Sequence, residues 1–201
     1  MEVIIIPILA SIAVMALGKK NQIWMSALLS MLPLIFIAQF FNHVGVDGGW
    51  KTLFDQPWIS DNIRFTTGFD GLTGILLLLT NILVPVIILG GIRNDENRVK
   101  ITALTLFMQG ALNGVFMAQD GLMFYIFWEL ALIPIYFITL TMSGENAFKI
   151  TLRFFIYTFV GSLAMLASLI YLFLHTANYS FAFEALRAVE LSHTESIFVG
   201  G

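Results

Sequence analysis

The chain contains six unbroken apolar runs, and their length is the feature that most constrains its fold. The runs cover Val3–Leu17, Ile23–Phe41, Gly71–Leu89, Val99–Ala118, Gly121–Met142 and Ala147–Leu174. A helix of about 20 apolar residues crosses a bilayer core and bonds every backbone polar group within itself. Strands of a membrane β-barrel would instead alternate over segments of about 10 residues. The runs therefore predict an all-α, polytopic transmembrane bundle of six helices.

Composition supports a membrane protein and excludes several kinds of site. Of 201 residues, 58% are hydrophobic and only 11% are charged, which is too few to cover a soluble domain of this size. The net charge of -3 is spread along the chain, so membrane lipids are expected as partners and nucleic acid is not. The absence of cysteine excludes cysteine-ligated clusters, and the three histidines share no metal-ligand spacing. No metal or cofactor is therefore expected in this chain.

The apolar runs also predict the domain limits. A transmembrane helical domain is expected over residues 1–175, followed by an extramembrane tail over 176–201 that leads toward an absent seventh helix. Its helices are expected at about 1–18, 22–41, 70–90, 99–118, 121–142 and 147–175. The first run has no basic residue before it, so it is expected to be a retained helix and not a cleaved signal.

The distribution of basic residues predicts the orientation, because cytoplasmic loops carry the excess of Lys and Arg. Seven basic residues flank the first, third and fifth connections: Lys19, Lys20, Arg93, Arg98, Lys100, Lys149 and Arg153. Three lie on the other side: Lys51, Arg64 and Arg187. The N-terminus is therefore expected outside. The long connection 42–70 predicts a turn with a short strand or hairpin, whose Trp50 and Trp58 anchor at lipid headgroups or dock to a neighbouring subunit.

Glu129 is the one ionisable acid within the run Gly121–Met142. It follows Gly121 by eight residues, so at 1.5 Å per residue it lies roughly 12 Å into the membrane. A charge there costs about 2.5 to 3.5 kcal/mol on insertion scales. A carboxyl group is tolerated at this depth when it is protonated, paired or beside a wet cavity. Glu129 is therefore the candidate residue for proton translocation.

Polar residues on three other helices are expected at the depth of Glu129 when the chain is folded at its short turns. The proton-path candidates are Gln109, Asn113, Thr158 and Ser162, with Thr80 and Asn81 at the same height and Lys149 at the cytoplasmic end. One interpretation is a hydrated track through the bundle. The other is that amides and hydroxyls hold the helices together, with the small residues Gly110 and Gly114 allowing close approach.

Three stretches resemble subunit M of the NADH-quinone oxidoreductase (respiratory complex I) family of antiporter-like subunits. Phe127–Phe137, with the sequence FWELALIPIYF, is similar to its fifth-helix signature. Gly68–Thr73 resembles the entry to its third helix. Lys149–Thr151 together with Phe154–Thr158 resembles its sixth. The resemblance covers most of Asp70–His175.

The resemblance implies a proton-pumping membrane-arm subunit of an NADH:quinone oxidoreductase, with no redox site in this chain. Flavin, iron-sulfur clusters and quinone would belong to partner subunits, and the antiporter-like L and N paralogues would be its neighbours in the cell inner membrane. It also implies 14 helices and a pairing of Glu129 with a buried lysine of a later helix. No lysine in these 201 residues matches that position, so the chain is expected to be an N-terminal portion, a truncated product or half of a split subunit.

Two alternatives remain open at this stage. The first is a subunit of a multisubunit sodium/proton antiporter or of a membrane-bound hydrogenase, families that the resemblance implies share the buried glutamate. A non-conducting structural membrane scaffold is the second alternative, in which the polar residues serve packing alone.

Overall fold

A computed structural model describes residues 1–17, 22–41, 50–60, 63–90, 97–142, 147–176 and 178–189. The basic residues Lys19, Lys20 and Arg93, which contribute to the predicted orientation, lie outside this range, as does the end of the predicted tail from residue 190 onward.

Helices make up most of the described chain, as the apolar runs predict. They are α1 (Glu2–Leu17), α2 (Gln22–Phe41), α3 (Gly71–Gly90), α4 (Arg98–Met117), α5 (Gly121–Met142), α6 (Ala147–His175) and the short α7 (Phe183–Arg187). Helices α2 to α6 are each long and apolar enough to cross a membrane, and α1 is a shorter apolar helix. The prediction of a polytopic helical bundle is confirmed, with α7 in addition to the six expected helices.

Helix α4 is at the centre of the bundle. It packs against α1, α3 and α5, while α2 bridges α1 and α3. Close approach depends on two glycines of α4. A Cβ at Gly110 would lie 2.9 Å from the Ile4 carbonyl of α1, and one at Gly114 would overlap the Phe127 ring of α5. The packing role predicted for these small residues is therefore confirmed.

Helix α6 is at the edge of the bundle and packs against α5. Their crossing buries few of its side chains, and large apolar residues such as Ile150, Tyr157 and Val160 are more than half exposed. An apolar surface of this extent suits a hydrocarbon environment, where exposed apolar side chains carry no penalty.

A hairpin covers one end of the bundle. Strand β1 (Lys51–Ser60) pairs antiparallel with β2 (Ile63–Phe69), so the predicted hairpin is confirmed. Phe69 is fully buried at the base of the hairpin, and its ring centroid lies 5.5 Å from that of Phe40 and 5.4 Å from that of Phe41. These contacts fix the hairpin to the C-terminal end of α2. The side of the bundle that carries it is called the hairpin end below.

Two short extended segments continue the pairing beyond β2. The backbone N–H of Gln119 donates to the Thr66 carbonyl of β2 at 3.0 Å, and the backbone N–H of Phe183 donates to the backbone carbonyl of Gln119 at 3.2 Å. Gly121 N in turn donates to the Phe181 carbonyl at 2.8 Å. The turn between α4 and α5 is therefore held between the hairpin and the segment that leads into α7. We call this arrangement the β clamp.

Candidate functional site

Glu129 lies near the middle of α5, and most of the residues around it in the sequence of this helix are apolar. Its Oε1 atom is buried and has no hydrogen-bond partner among the described residues. An unpaired carboxyl oxygen removed from water is costly, since a lost hydrogen bond to a buried polar group amounts to about 1 to 3 kcal/mol and more for a charge.

Contacts between α5 and α6 fix the depth of Glu129. Near one end, a Cβ at Gly121 would lie 3.0 Å from the Leu169 side chain, and near the other the rings of Tyr136 and Phe155 are 4.9 Å apart. Counting along the two antiparallel helices from either pair places Glu129 level with residues 161 and 162. Ser162 is 5% exposed and thus lies at the height that the sequence predicts.

Tyr125 is a neighbour of Glu129 that the sequence analysis did not single out. It precedes Glu129 by four residues, so the two side chains share one face of α5. Its hydroxyl interacts with the carboxyl group of Glu129 and with the hydroxyl of Ser162. The i, i+4 spacing of an aromatic hydroxyl and an acid was the available signal. It is hidden in the sequence by the aromatic residues around it.

The amides predicted at the same depth form a separate cluster on the other side of α4. Asn81, Gln109 and Asn113 are fully buried. Asn81 donates to the side chain of Asn113 at 3.0 Å, and Gln109 donates to the side chain of Asn81 at 2.6 Å. We call these three residues the amide cluster. Their predicted proximity is found, but they face α1, α2 and α3 and not Glu129.

The amide cluster also bonds to helix backbone. The Asn113 amide donates to the Val3 carbonyl of α1 at 2.9 Å, and the Gln109 amide donates to the Ser30 carbonyl of α2 at 2.8 Å. Val3 is four residues before Pro7, which has no N–H to offer that carbonyl. Asn113 therefore supplies the donor that the proline removes. This arrangement fits the role of interhelical glue.

One atom of the amide cluster is left without a partner. Gln109 Oε1 is buried and has no hydrogen-bond partner among the described residues. The remaining polar groups of the three side chains all form hydrogen bonds. The cluster is therefore a nearly complete hydrogen-bond network and not a row of unpaired donors and acceptors. The single track predicted from depth alone thus divides into two groups, because depth does not specify which face of a helix a residue occupies.

Three other residues expected at this depth or at the cytoplasmic end are not brought to Glu129. The Thr158 hydroxyl donates to the Phe154 carbonyl of its own helix at 2.9 Å. Lys149 is exposed at the start of α6, and the register places it about 13 residues, or roughly 20 Å, from the level of Glu129. Thr80 likewise bonds within its own helix, to the Leu76 carbonyl at 3.0 Å. Their participation in a proton path stays a prediction.

The start of α5 is capped by a buried acid at the hairpin end. Asp120 is 3% exposed, and its Oδ1 accepts hydrogen bonds from the backbone N–H groups of Leu122 at 2.9 Å and Met123 at 3.1 Å. These bonds satisfy donors that have no partner within the helix. Burial raises the pKa of the Asp120 carboxyl, although the same two bonds oppose the shift. The helix that carries Glu129 therefore begins at a fixed point of the β clamp.

A second acid at the hairpin end is exposed and paired. The Arg64 guanidinium donates to both carboxylate oxygens of Asp55, at 2.7 and 2.9 Å. This hydrogen bonding lowers the pKa of the Asp55 carboxyl. Within the described ranges there is no group of three His, Cys, Asp or Glu side chains suited to a metal ion.

Comparison with known proteins finds similarity to one family of membrane subunits. Residues 118–199 match the family described as the NADH:quinone oxidoreductase/Mrp antiporter transmembrane domain. The F(420)H(2) dehydrogenase subunit M of Methanosarcina mazei is 40% identical over 117 residues, which are 58% of this chain and 24% of that protein. The chloroplastic NAD(P)H-quinone oxidoreductase chain 4 of Mesostigma viride is 30% identical over 191 residues, which are 92% of this chain and 38% of that protein.

A solved structure agrees with these sequence matches. Respiratory complex I of Thermus thermophilus contains a chain that superposes with a TM-score of 0.81 at 26% identity, covering 98% of this chain and 41% of that one. The present chain thus spans less than half of the length of each of these relatives. The family match over residues 118–199, the relatives and the shared fold agree with one another, and the chain is similar to membrane subunits of the NADH:quinone oxidoreductase and Mrp antiporter family.

Proposed function

We propose that this chain is a membrane-arm subunit of a proton-translocating NADH-quinone oxidoreductase and that Glu129 takes up and releases protons in that process. The observation that supports this proposal most strongly is the Glu129 carboxyl group within the apolar helix α5, whose Oε1 has no hydrogen-bond partner among the described residues. Acids within membrane helices are costly, and they commonly mark the paths of protons and ions.

The partners follow from the same proposal. Neighbouring antiporter-like subunits, the L and N paralogues, would pack beside this chain in the cell inner membrane. Flavin, iron-sulfur clusters and quinone would be bound by other subunits. The electron donor would also be set by those subunits, and the similarity to a subunit of F(420)H(2) dehydrogenase makes donor specificity a property to assay. Copurification of the intact complex, followed by identification of its subunits, tests these assignments.

The test of function replaces Glu129 by Gln, which keeps the shape of the side chain and removes its acid. The complex that contains this chain is reconstituted into vesicles, and proton translocation is measured together with electron transfer. We expect Glu129→Gln to assemble and to reduce proton translocation severalfold, since no other acid lies within the membrane part of α5.

Glu184→Gln is the matched control because Glu184 is an exposed acid on the short helix α7, outside the long apolar helices. It should translocate protons like the unmodified protein. Normal translocation by Glu129→Gln would rule out the proposed role.

A second candidate function is cation/proton antiport without electron transfer, since the matching family includes Mrp antiporter subunits. It predicts that proton movement depends on a sodium gradient and continues when no electron donor is present. A third, the structural scaffold, is supported by the amide cluster, whose bonds join four helices. It predicts that Glu129→Gln has no effect while loss of the amide cluster weakens the assembly.

A further inference from the structure

Tyr125 and Ser162 surround the carboxyl group of Glu129 on the face where α5 meets α6. The hydroxyl of Tyr125 interacts with both the Glu129 carboxyl and the Ser162 hydroxyl. Independently of that interaction, the register between the helices places Glu129 level with Ser162, and the spacing of four residues places Tyr125 one turn away on the same face of α5. The three residues thus form a compact polar group within an otherwise apolar contact.

The hydrogen-bonding capacities of the three side chains differ. Ser162 donates its only proton to the Phe159 carbonyl at 2.8 Å, so toward Tyr125 its oxygen can act as an acceptor. An ionised Glu129 is also an acceptor only. Tyr125 carries one O–H proton and therefore can donate to one of these two groups at a time. The Oε1 atom of Glu129, which has no partner within the described chain, is the vacant acceptor.

The protonation state of Glu129 decides which of the two acceptors forms the stronger hydrogen bond with the Tyr125 hydroxyl. Hydrogen bonds to a charged group are roughly twice as strong as those between neutral groups. The phenol hydroxyl therefore favours Glu129 when that acid is ionised and Ser162 when it is protonated. Rotation about the C–O bond of Tyr125 redirects the hydroxyl proton from one acceptor to the other.

We propose that Tyr125 is a positioning residue for Glu129, whose hydroxyl donates to the carboxylate when Glu129 is ionised and to Ser162 when Glu129 is protonated. The phenol O–H bond is not broken, and the proton that Glu129 gains or loses comes from the translocation path. This inference rests on the proposed function for its role in pumping, but the switch itself depends only on the protonation of Glu129.

Other ionisable side chains on the described elements packed against α5 do not share this position. They are Arg98 and Lys100 on α4, Lys149, Arg153, Tyr157, Tyr171 and His175 on α6, and Arg64 on β2. The basic residues lie near the ends of their elements, and Tyr157 is 76% exposed on the outer face of α6. On α5 itself, Tyr136 lies two turns further along and contacts Phe155.

The test is infrared difference spectroscopy of the purified complex between two pH values that protonate and ionise Glu129, with tyrosine isotopically labelled. Glu129→Gln identifies the carboxyl band of Glu129. We expect a tyrosine C–O band that accompanies it, that is absent from Tyr125→Phe, and that is also absent from Glu129→Gln. In Ser162→Ala the tyrosine band should change frequency, because one of the two acceptors is missing.

Tyr157→Phe is the matched control and should retain the tyrosine band. A tyrosine band that persists in Tyr125→Phe, or a Glu129 carboxyl band that appears with no tyrosine band in the unmodified protein, would overturn the inference. Proton translocation is measured in the same preparations, and Tyr125→Phe should reduce it less than Glu129→Gln does. If Glu129→Gln pumps normally while the tyrosine band still follows Glu129, the proposed function fails and the switch stands.

Discussion

At the scale of single residues, Glu129 and the amide cluster lie on different sides of α4. Glu129 and Ser162 lie at the same level, and Asn81 and Asn113 are in contact, as folding the sequence at its turns predicts. The division between Glu129 and the amide cluster was not predicted, since the face a residue occupies depends on how each helix is rotated. Tyr125 was missed because a tyrosine among aromatic neighbours has the same pattern as a packing residue.

The bond between Asn113 and the Val3 carbonyl gives a prediction about stability. Asn113→Ala leaves that carbonyl without its side-chain donor and removes the acceptor of an Asn81 side-chain N–H, so we expect the free energy of unfolding to fall by about 1 to 3 kcal/mol. Denaturant titration of the protein in detergent measures this change. Ser168→Ala is the control, since Ser168 is on α6 and bonds only within its own helix at 3.1 Å.

The role of Pro7 is tested in the same measurement. Pro7→Ala restores a backbone N–H that can bond to the Val3 carbonyl, so Asn113→Ala should cost less in that background than in the unmodified protein. An equal cost in both backgrounds would contradict the view that Asn113 replaces the donor lost to the proline.

At the scale of elements, apolar length predicted the long helices, and the glycines and alternation of the connection predicted the hairpin. The β clamp was not predicted. Its added segments pair through single bridges, Thr67 with Ala118 and Asp120 with Ala182, and two or three residues leave no periodic pattern in a sequence. The consequence is that α5 begins in a turn bonded on both sides, which holds the helix that carries Glu129.

The contact between α4 and α5 gives a prediction with a matched control. Gly114→Ala introduces a Cβ that overlaps the Phe127 ring, and we expect it to lower the free energy of unfolding by about 1 to 3 kcal/mol. Gly161→Ala meets no atom within 4 Å and should raise stability by roughly 0.5 to 1 kcal/mol, because alanine favours a helix. Thermal unfolding in detergent distinguishes these opposite signs. Equal shifts in both variants would contradict the proposed packing.

At the scale of the whole molecule, two parts with different polar chemistry lie side by side. Helices α1 to α4 are joined by the amide cluster, whose bonds are nearly all satisfied, whereas the pair α5 and α6 holds an acid with an unpaired oxygen. A rigid polar network suits assembly, and an incompletely bonded acid suits a change of protonation. Composition predicted the membrane fold, but only the spatial arrangement of the helices separates the amide cluster from Glu129.

The central claim, that the carboxyl group of Glu129 moves protons, is tested most directly by the number of protons translocated per electron transferred in vesicles that contain the complex. The ratio is compared among the unmodified protein, Glu129→Gln and Glu129→Asp, with electron transfer and assembly measured in each. We predict a ratio that is strongly reduced in Glu129→Gln and largely restored in Glu129→Asp, which regains an acid on a shorter side chain. An unchanged ratio in Glu129→Gln, or an equal loss in both variants, would contradict the claim.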